Sequence, residues 1–169
     1  MHIEVINFCE SVKHRFPEYF TGKDVLDCGS LDINGNNRYL FSGGTYLGID
    51  ICEGKNVDVV VSIDDFRPMK SFDVVISTEM LEHNENWFQS LRNMVYMTKF
   101  RGLLIFTAAG INRPVHGTAA HNPQDSPKTP DYYENVTAEM IVRAVDLQDF
   151  SWFEISYIDT DIRFAGIKR

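Results

Sequence analysis

The apolar residues of the chain fall into two rhythms. Over residues 3–16, IEVINFCESVKHRF, Val5, Cys9, Val12 and Phe16 recur at spacings of three and four, which is the stripe of an amphipathic helix, and Pro17 ends it. Five short apolar runs follow: KDVLDCGS (23–30), TYLGIDI (45–51), VDVVVSI (57–63), FDVVIST (72–78) and GLLIFTAAG (102–110). Several are apolar at consecutive rather than alternate positions. Strands look this way when both faces are covered, as in a parallel sheet between two helical layers. The pattern therefore predicts an α/β chain.

Between the fourth and fifth runs, NENWFQSLRNMVYMTKF places Trp87, Leu91, Met94, Val95 and Thr98 on one helical face, with Asn84 as N-cap and Gly102 beyond the end. This predicts a β-α-β crossover. Later, Thr137 caps a helix whose face is Met140, Ile141, Ala144, Val145 and Leu147, and SWFEISYID and IRFAGIKR read as two strands turning at Thr160 and Asp161. Only residues 51–56 separate the second and third strands, whereas a parallel crossover ordinarily takes about a dozen. The third strand is therefore expected to be a short edge strand reached by a bare loop. Residues 111–135 show neither period and hold four of the six prolines and two of the five histidines, as a substrate loop or lid would. No repeat or boundary divides residues 1–169, so one domain is expected.

Composition narrows the partners. With 16 Lys+Arg against 24 Asp+Glu the formal charge is −8. Nucleic acid is a disfavoured partner, because neutralising phosphates requires clustered basic residues and none appears. No apolar run approaches the ~20 residues of a membrane span, and the N-terminus has no signal-peptide pattern, so a cytoplasmic protein is expected. Cys9, Cys28 and Cys52 are too scattered for a disulfide framework or a zinc motif.

Ligands of open parallel sheets bind beyond the carboxyl ends of the strands. The first strand ends in Asp27, Cys28, Gly29 and Ser30, the second in Asp50 and Ile51, the third in Ser62, Ile63, Asp64 and Asp65, the fourth in Ser77, Thr78 and Glu79. Each brings a carboxylate. The loop DCGSLDINGN lacks the G-x-G-x-x-G of a dinucleotide site, and Asp32 within it would repel a pyrophosphate. That argues against a nicotinamide-dependent reductase. Strand-end carboxylates suit a ligand with ribose hydroxyls, an amine and no phosphate.

VLDCGS, YLGIDI, VDVVVSIDDF and FDVVISTEMLEH, in this order and at these separations, resemble the successive motifs of the class I S-adenosylmethionine-dependent methyltransferases, and the resemblance covers residues 24–109. It implies a Rossmann-like, doubly wound, mostly parallel seven-stranded sheet with an antiparallel C-terminal strand and helices on both faces. It also implies S-adenosylmethionine as cofactor. Asp27, Gly29 and Ser30 would then hold the methionine part and Asp50 the ribose hydroxyls. Ile51 would pack on the adenine, Ile63 and Asp64 would meet its edge, and Thr78 and Glu79 would close the pocket. The family commonly has an acid where Ser62 stands. His83 matches a frequent family position.

Methyl transfer needs chiefly alignment of acceptor, methyl and sulfur, and a base only where the acceptor is protonated. His116 and His121 in the long loop are the candidates for acceptor contact or proton removal, with Tyr132 and Tyr133 beside them; the alternative is that both histidines stand in solvent. No metal set is expected. A small-molecule acceptor is favoured, a protein partner is possible, and a cofactor-binding but non-catalytic module is the alternative function.

Overall fold

A computed structural model describes residues 2–129 and 131–169; Met1 and, within the expected loop, Pro130 lie outside the described residues. The strands are β1 (Asp24–Cys28), β2 (Thr45–Asp50), β3 (Val59–Val60), β4 (Phe72–Thr78), β5 (Thr98–Ala109), β6 (Phe150–Ile158) and β7 (Asp161–Lys168), and the helices are α1 (Ile3–Arg15), α2 (Trp87–Met97) and α3 (Ala138–Ala144). They form one seven-stranded sheet in the order β3-β2-β1-β4-β5-β7-β6. All neighbouring pairs from β3 to β5 are parallel, and β7 runs antiparallel to both β5 and β6.

The consecutive apolar positions now have their explanation. Successive side chains of a strand point to opposite faces, and two apolar layers are waiting. Val25, Val74, Ile76, Leu103 and Ile105 face Val5, Phe8, Cys9 and Val12 of α1. Leu26, Val75, Leu104 and Phe106 face Leu91, Met94 and Met97 of α2 and Ile141 and Ala144 of α3. Phe106 stacks on Phe164 of β7 with ring centroids 4.9 Å apart. Cys9, Cys28 and Cys52 are free and buried.

Several boundaries differ from the sequence pattern. Helix α2 begins at Trp87 after Asn86, not at an Asn84 cap, because Asn84 Oδ1 accepts from the Asn86 N–H (2.8 Å) in the preceding turn. It ends at Met97, since Thr98 already pairs with Phe72; the Thr98 hydroxyl donates back to the Met94 carbonyl (2.8 Å) and the strand starts four residues before Gly102. Thr137 caps α3 as expected, accepting from the Met140 N–H at 3.2 Å. Leu147 lies outside that helix, in a separate 3-10 turn (Leu147–Asp149) capped by Asp146. The terminal turn is Asp159–Thr160, with Asp159 taking the left-handed conformation that Asp tolerates, and Asp161 opens β7. As expected, β3 is a two-residue, exposed edge strand. No helix follows β1; the connection to β2 carries only a 3-10 turn, Arg38–Leu40. Among the described residues no helix is long and apolar enough to cross a membrane.

Candidate functional site

Strand order reverses between β1 and β4, which puts the crevice of this sheet above the carboxyl ends of β1, β2 and β4. A cavity of about 790 Å³ opens there, within the ~300–1,000 Å³ of small-molecule sites. Asp27, Gly29, Ser30, Asp50, Ile51, Ile63, Asp64, Thr78 and Glu79 all line it. So does His116, whereas His121 is exposed outside it, in a small turn where its backbone pairs with Thr118. The long loop forms one wall, contributing Arg113, Ser126, Lys128 and Tyr132 among others.

The glycine loop closes on itself. The N–H groups of Gly29 and Ser30 both donate to the Ile49 carbonyl (2.9 and 3.0 Å), and that of Leu31 to Asp50 Oδ2 (3.1 Å). Gly29 sits at φ +76°, and a Cβ there would meet Met80 Cγ at 2.5 Å. Glycine is thus required for backbone shape and clearance. The Asp32 carboxylate does not face the cavity as the pyrophosphate argument assumed. It accepts from the Gly35 N–H (2.7 Å) and Asn36 Nδ2 (2.8 Å) and pairs with Lys55 (2.6 Å), so it organises its own loop.

Asp27 is 1% exposed, and its carboxylate accepts from the Tyr46 hydroxyl (2.5 Å) and Asn37 Nδ2 (3.4 Å). Burial outweighs these hydrogen bonds and raises its pKa to about 6. Beside it, Asn37 Oδ1 is buried without a hydrogen-bond partner, and Asn37 Nδ2 also donates to the Thr78 hydroxyl (3.1 Å). A carboxylate next to an unfilled carbonyl acceptor is a receptor for an ammonium group. Asp50 is half-buried; Oδ1 accepts from the Cys52 N–H (2.9 Å) and Oδ2 from Leu31, leaving each oxygen a further lone pair on a residue that lines the cavity. The Ser62 hydroxyl accepts from the Asp64 N–H (3.2 Å), and Asp64 Oδ1 accepts from Ser90 of α2 (2.7 Å), so the turn is fixed with Ile63 beneath it.

Glu79 adopts φ +56° and lies in a charged network absent from the sequence reading. Its carboxylate accepts from Thr107 (2.8 Å) and contacts His2 Nε2 (2.9 Å), while Arg113 reaches both His2 Nε2 (2.9 Å) and Asp161 (2.9 Å). Burial alone would raise Glu79, but the His2 and Thr107 hydrogen bonds hold it below its ordinary value. Next to it, burial and then the Glu79 charge push the Glu82 carboxyl well up.

The loop packs on the 3-10 turn Leu81–His83. His83 and His116 rings are 5.0 Å apart, and Tyr133 lies 5.6 Å from His83 and 5.0 Å from His116. Burial, then His116, lowers His83 to about 4, so its imidazole is neutral. His116 Nδ1 lies 3.1 Å from the Pro114 carbonyl. A carbonyl only accepts, so it is an Nδ1–H that donates to it, and in the neutral ring the lone pair is then on Nε2. Asn37, Tyr46, His2 and Arg113 escaped the sequence reading because none sits at the carboxyl end of a strand.

The reversal of strand order and the cavity above it define a doubly wound α/β protein with its crevice at the switch point. More particularly, the fold is that of the class I S-adenosylmethionine-dependent methyltransferases. No protein-family model matches the chain, and no curated protein matches it. Among solved structures, the N-terminal domain of EvdMO1 with SAH bound superposes with a TM-score of 0.69 at 15% identity over 96% of this chain and 80% of that one. The Burkholderia thailandensis 1,6-didemethyltoxoflavin-N1-methyltransferase, with 1,6-didemethyltoxoflavin and S-adenosylhomocysteine bound, gives 0.64 at 13% over 95% and 76%. Magnesium protoporphyrin IX methyltransferase from Synechocystis with SAM bound gives 0.62 at 13% over 96% and 79%.

Proposed function

We propose that the chain is a methyltransferase that binds S-adenosylmethionine in this cavity and passes its sulfonium methyl to a small-molecule acceptor. The observation that carries the reading is that nine residues from four strand ends, singled out for one cofactor, line a single cavity. The donor chemistry fits part by part. Asp27 with Asn37 Oδ1 receives the ammonium group, and the open lone pairs of Asp50 receive the ribose hydroxyls. Ile51, 37% exposed, offers an apolar surface to the adenine. The cofactor supplies an activated methyl group when bound. The chain contributes alignment and a shielded site, and His116 on the cavity wall is the histidine available to contact the acceptor.

The long loop walls one side of a cavity of small-molecule size, which supports a small acceptor. The solved structures named above include a methyltransferase with 1,6-didemethyltoxoflavin bound, which agrees with this acceptor class. A cofactor-binding, non-catalytic module is the second reading, favoured by the glycine loop whose N–H groups are already engaged by Ile49 and Asp50. Calorimetry with S-adenosylmethionine and S-adenosylhomocysteine tests the first step. Saturable one-to-one binding of either supports both readings, and no heat from either at near-millimolar protein removes them. Release of S-adenosylhomocysteine dependent on an added acceptor then separates enzyme from module.

A further inference from the structure

We propose that Glu82, His83 and His116 form a binding site for one divalent transition cation of the Zn²⁺ class, at the end of the cavity walled by the long loop. One donor atom on each of the three lies within 4.8 Å of the others. Donors sharing a zinc ion at bond lengths of ~2.0–2.2 Å stand roughly 3–4 Å apart, so small side-chain rotations complete the set. The sequence hides this grouping, because 33 positions separate His116 from His83.

A second observation is independent of proximity. Glu82 is 0% exposed and His83 7% exposed, and among the described residues Glu82 Oε2 and His83 Nδ1 have no hydrogen-bond partner. Buried polar atoms are nearly always paired. An orphaned buried carboxyl oxygen beside imidazoles is a costly arrangement, which a cation that displaces the carboxyl proton relieves. The third ligand is held for the purpose: the Pro114 carbonyl fixes the His116 tautomer, as carbonyl partners do for metal-bound imidazoles. The backbone holds the loop there too, with Glu134 N–H donating to the Glu82 carbonyl at 2.9 Å.

Two imidazoles and one carboxylate select Zn²⁺, Fe²⁺ or Co²⁺ over Mg²⁺ and Ca²⁺, which prefer all-oxygen shells. Three protein ligands leave a position open. Since His83 and His116 line the cavity, that position faces whatever binds there, and an oxygen or nitrogen lone pair of that molecule would complete the shell. His2, Glu79 and Asp161 are also close enough to share an ion. There, however, the Arg113 guanidinium already provides the cation, 2.9 Å from Asp161 and from His2. The metal site does not rest on methyl transfer, and its test does not use activity.

The test uses the full chain without a histidine tag, stripped by chelator, titrated with ZnCl₂ and MgCl₂ by calorimetry and with CoCl₂ by visible absorption. The expected result is about one Zn²⁺ per chain, visible Co²⁺ ligand-field bands, and Mg²⁺ bound roughly 100-fold more weakly. His116→Ala and Glu82→Gln should each weaken Zn²⁺ at least ~tenfold, and His2→Ala should leave it within about twofold, the spread of ordinary surface changes. Thermal melts of the stripped variants establish folding, and if Glu82→Gln does not fold, His116→Ala alone decides. Substoichiometric Zn²⁺, an affinity that His116→Ala leaves unmoved, or a loss on His2→Ala would overturn the assignment.

Discussion

The backbone of Gly117 lies directly against the ring of His83: a Cβ on Gly117 would stand 2.5 Å from His83 Cε1 and 2.9 Å from Ser126 Cβ, and Gly117 holds φ +63°. This contact is what lets the loop seat His116 beside His83. Gly117→Ala adds both a clash and the ~1–2 kcal/mol cost of a left-handed L-residue. Hydrogen exchange should show faster exchange across residues 111–135, and cofactor affinity should change by less than about threefold, because Asp27 and Asp50 are untouched. Unchanged exchange in the loop would show that Gly117 does not hold it.

Asp27 predicts a pH dependence. Its folded pKa of about 6 lies above the ordinary 3.8, so the folded state holds the proton more tightly than the unfolded one. The stability from this group is fully present below about 3.8 and is lost as pH rises through about 6, a loss on the order of 3 kcal/mol. An ammonium ligand wants the ionised form, so cofactor affinity should run the opposite way, falling about tenfold per unit below pH 6. Asp27→Asn should remove the acid-side slope of the melting temperature, raise it at neutral pH, and weaken S-adenosylhomocysteine binding. Melts and calorimetry across pH 4–8 check all three.

Asp50→Ala should weaken S-adenosylhomocysteine by roughly a hundredfold to ten-thousandfold, since each hydrogen bond to a charged group contributes ~1.5–3 kcal/mol and two are lost. The variant also frees the N–H groups of Leu31 and Cys52. Asp50→Asn, which keeps an acceptor, should therefore lose less. Equal losses in calorimetry would mean that charge alone matters there.

Lys128 Nζ donates to the Ile51 carbonyl at 2.9 Å, tying the loop to the turn after β2. Because the contact is exposed, Lys128→Ala should cost about 1 kcal/mol or less. The expected effect is a faster off-rate for the cofactor with little change in melting temperature, read by stopped-flow displacement. An unchanged off-rate would show that this tie does not gate release.

Much of the site was legible in the chain because it sits where strands stop. Asp27, Asp50 and Glu79 each follow a recognisable apolar run, and parallel strands must deliver their ends to the same edge of the sheet. His116 was reachable as a histidine in a loop leaving that edge, but nothing local distinguished it from His121. Asp32 was misjudged because spacing does not say which way a short carboxylate turns, and it turned to Gly35, Asn36 and Lys55. Helix α2 was misplaced at both ends, where an Asn84 side-chain bond and pairing of Thr98 with β4 overrode the helical pattern.

By itself the sequence determined the layered α/β arrangement and the row of strand-end carboxylates, because burial on both faces of a sheet writes a one-dimensional pattern that survives in the chain. The tertiary structure alone decided which polar atoms meet. His2 with Glu79, Arg113 with Asp161, Asn37 with Asp27 and Thr78, and Glu82 with His83 and His116 are groupings set by how the loops fold back over the sheet. Hydrogen bonds and ion pairs act over a few ångströms of space and carry no period along the chain, so such groupings become visible only once the elements are packed.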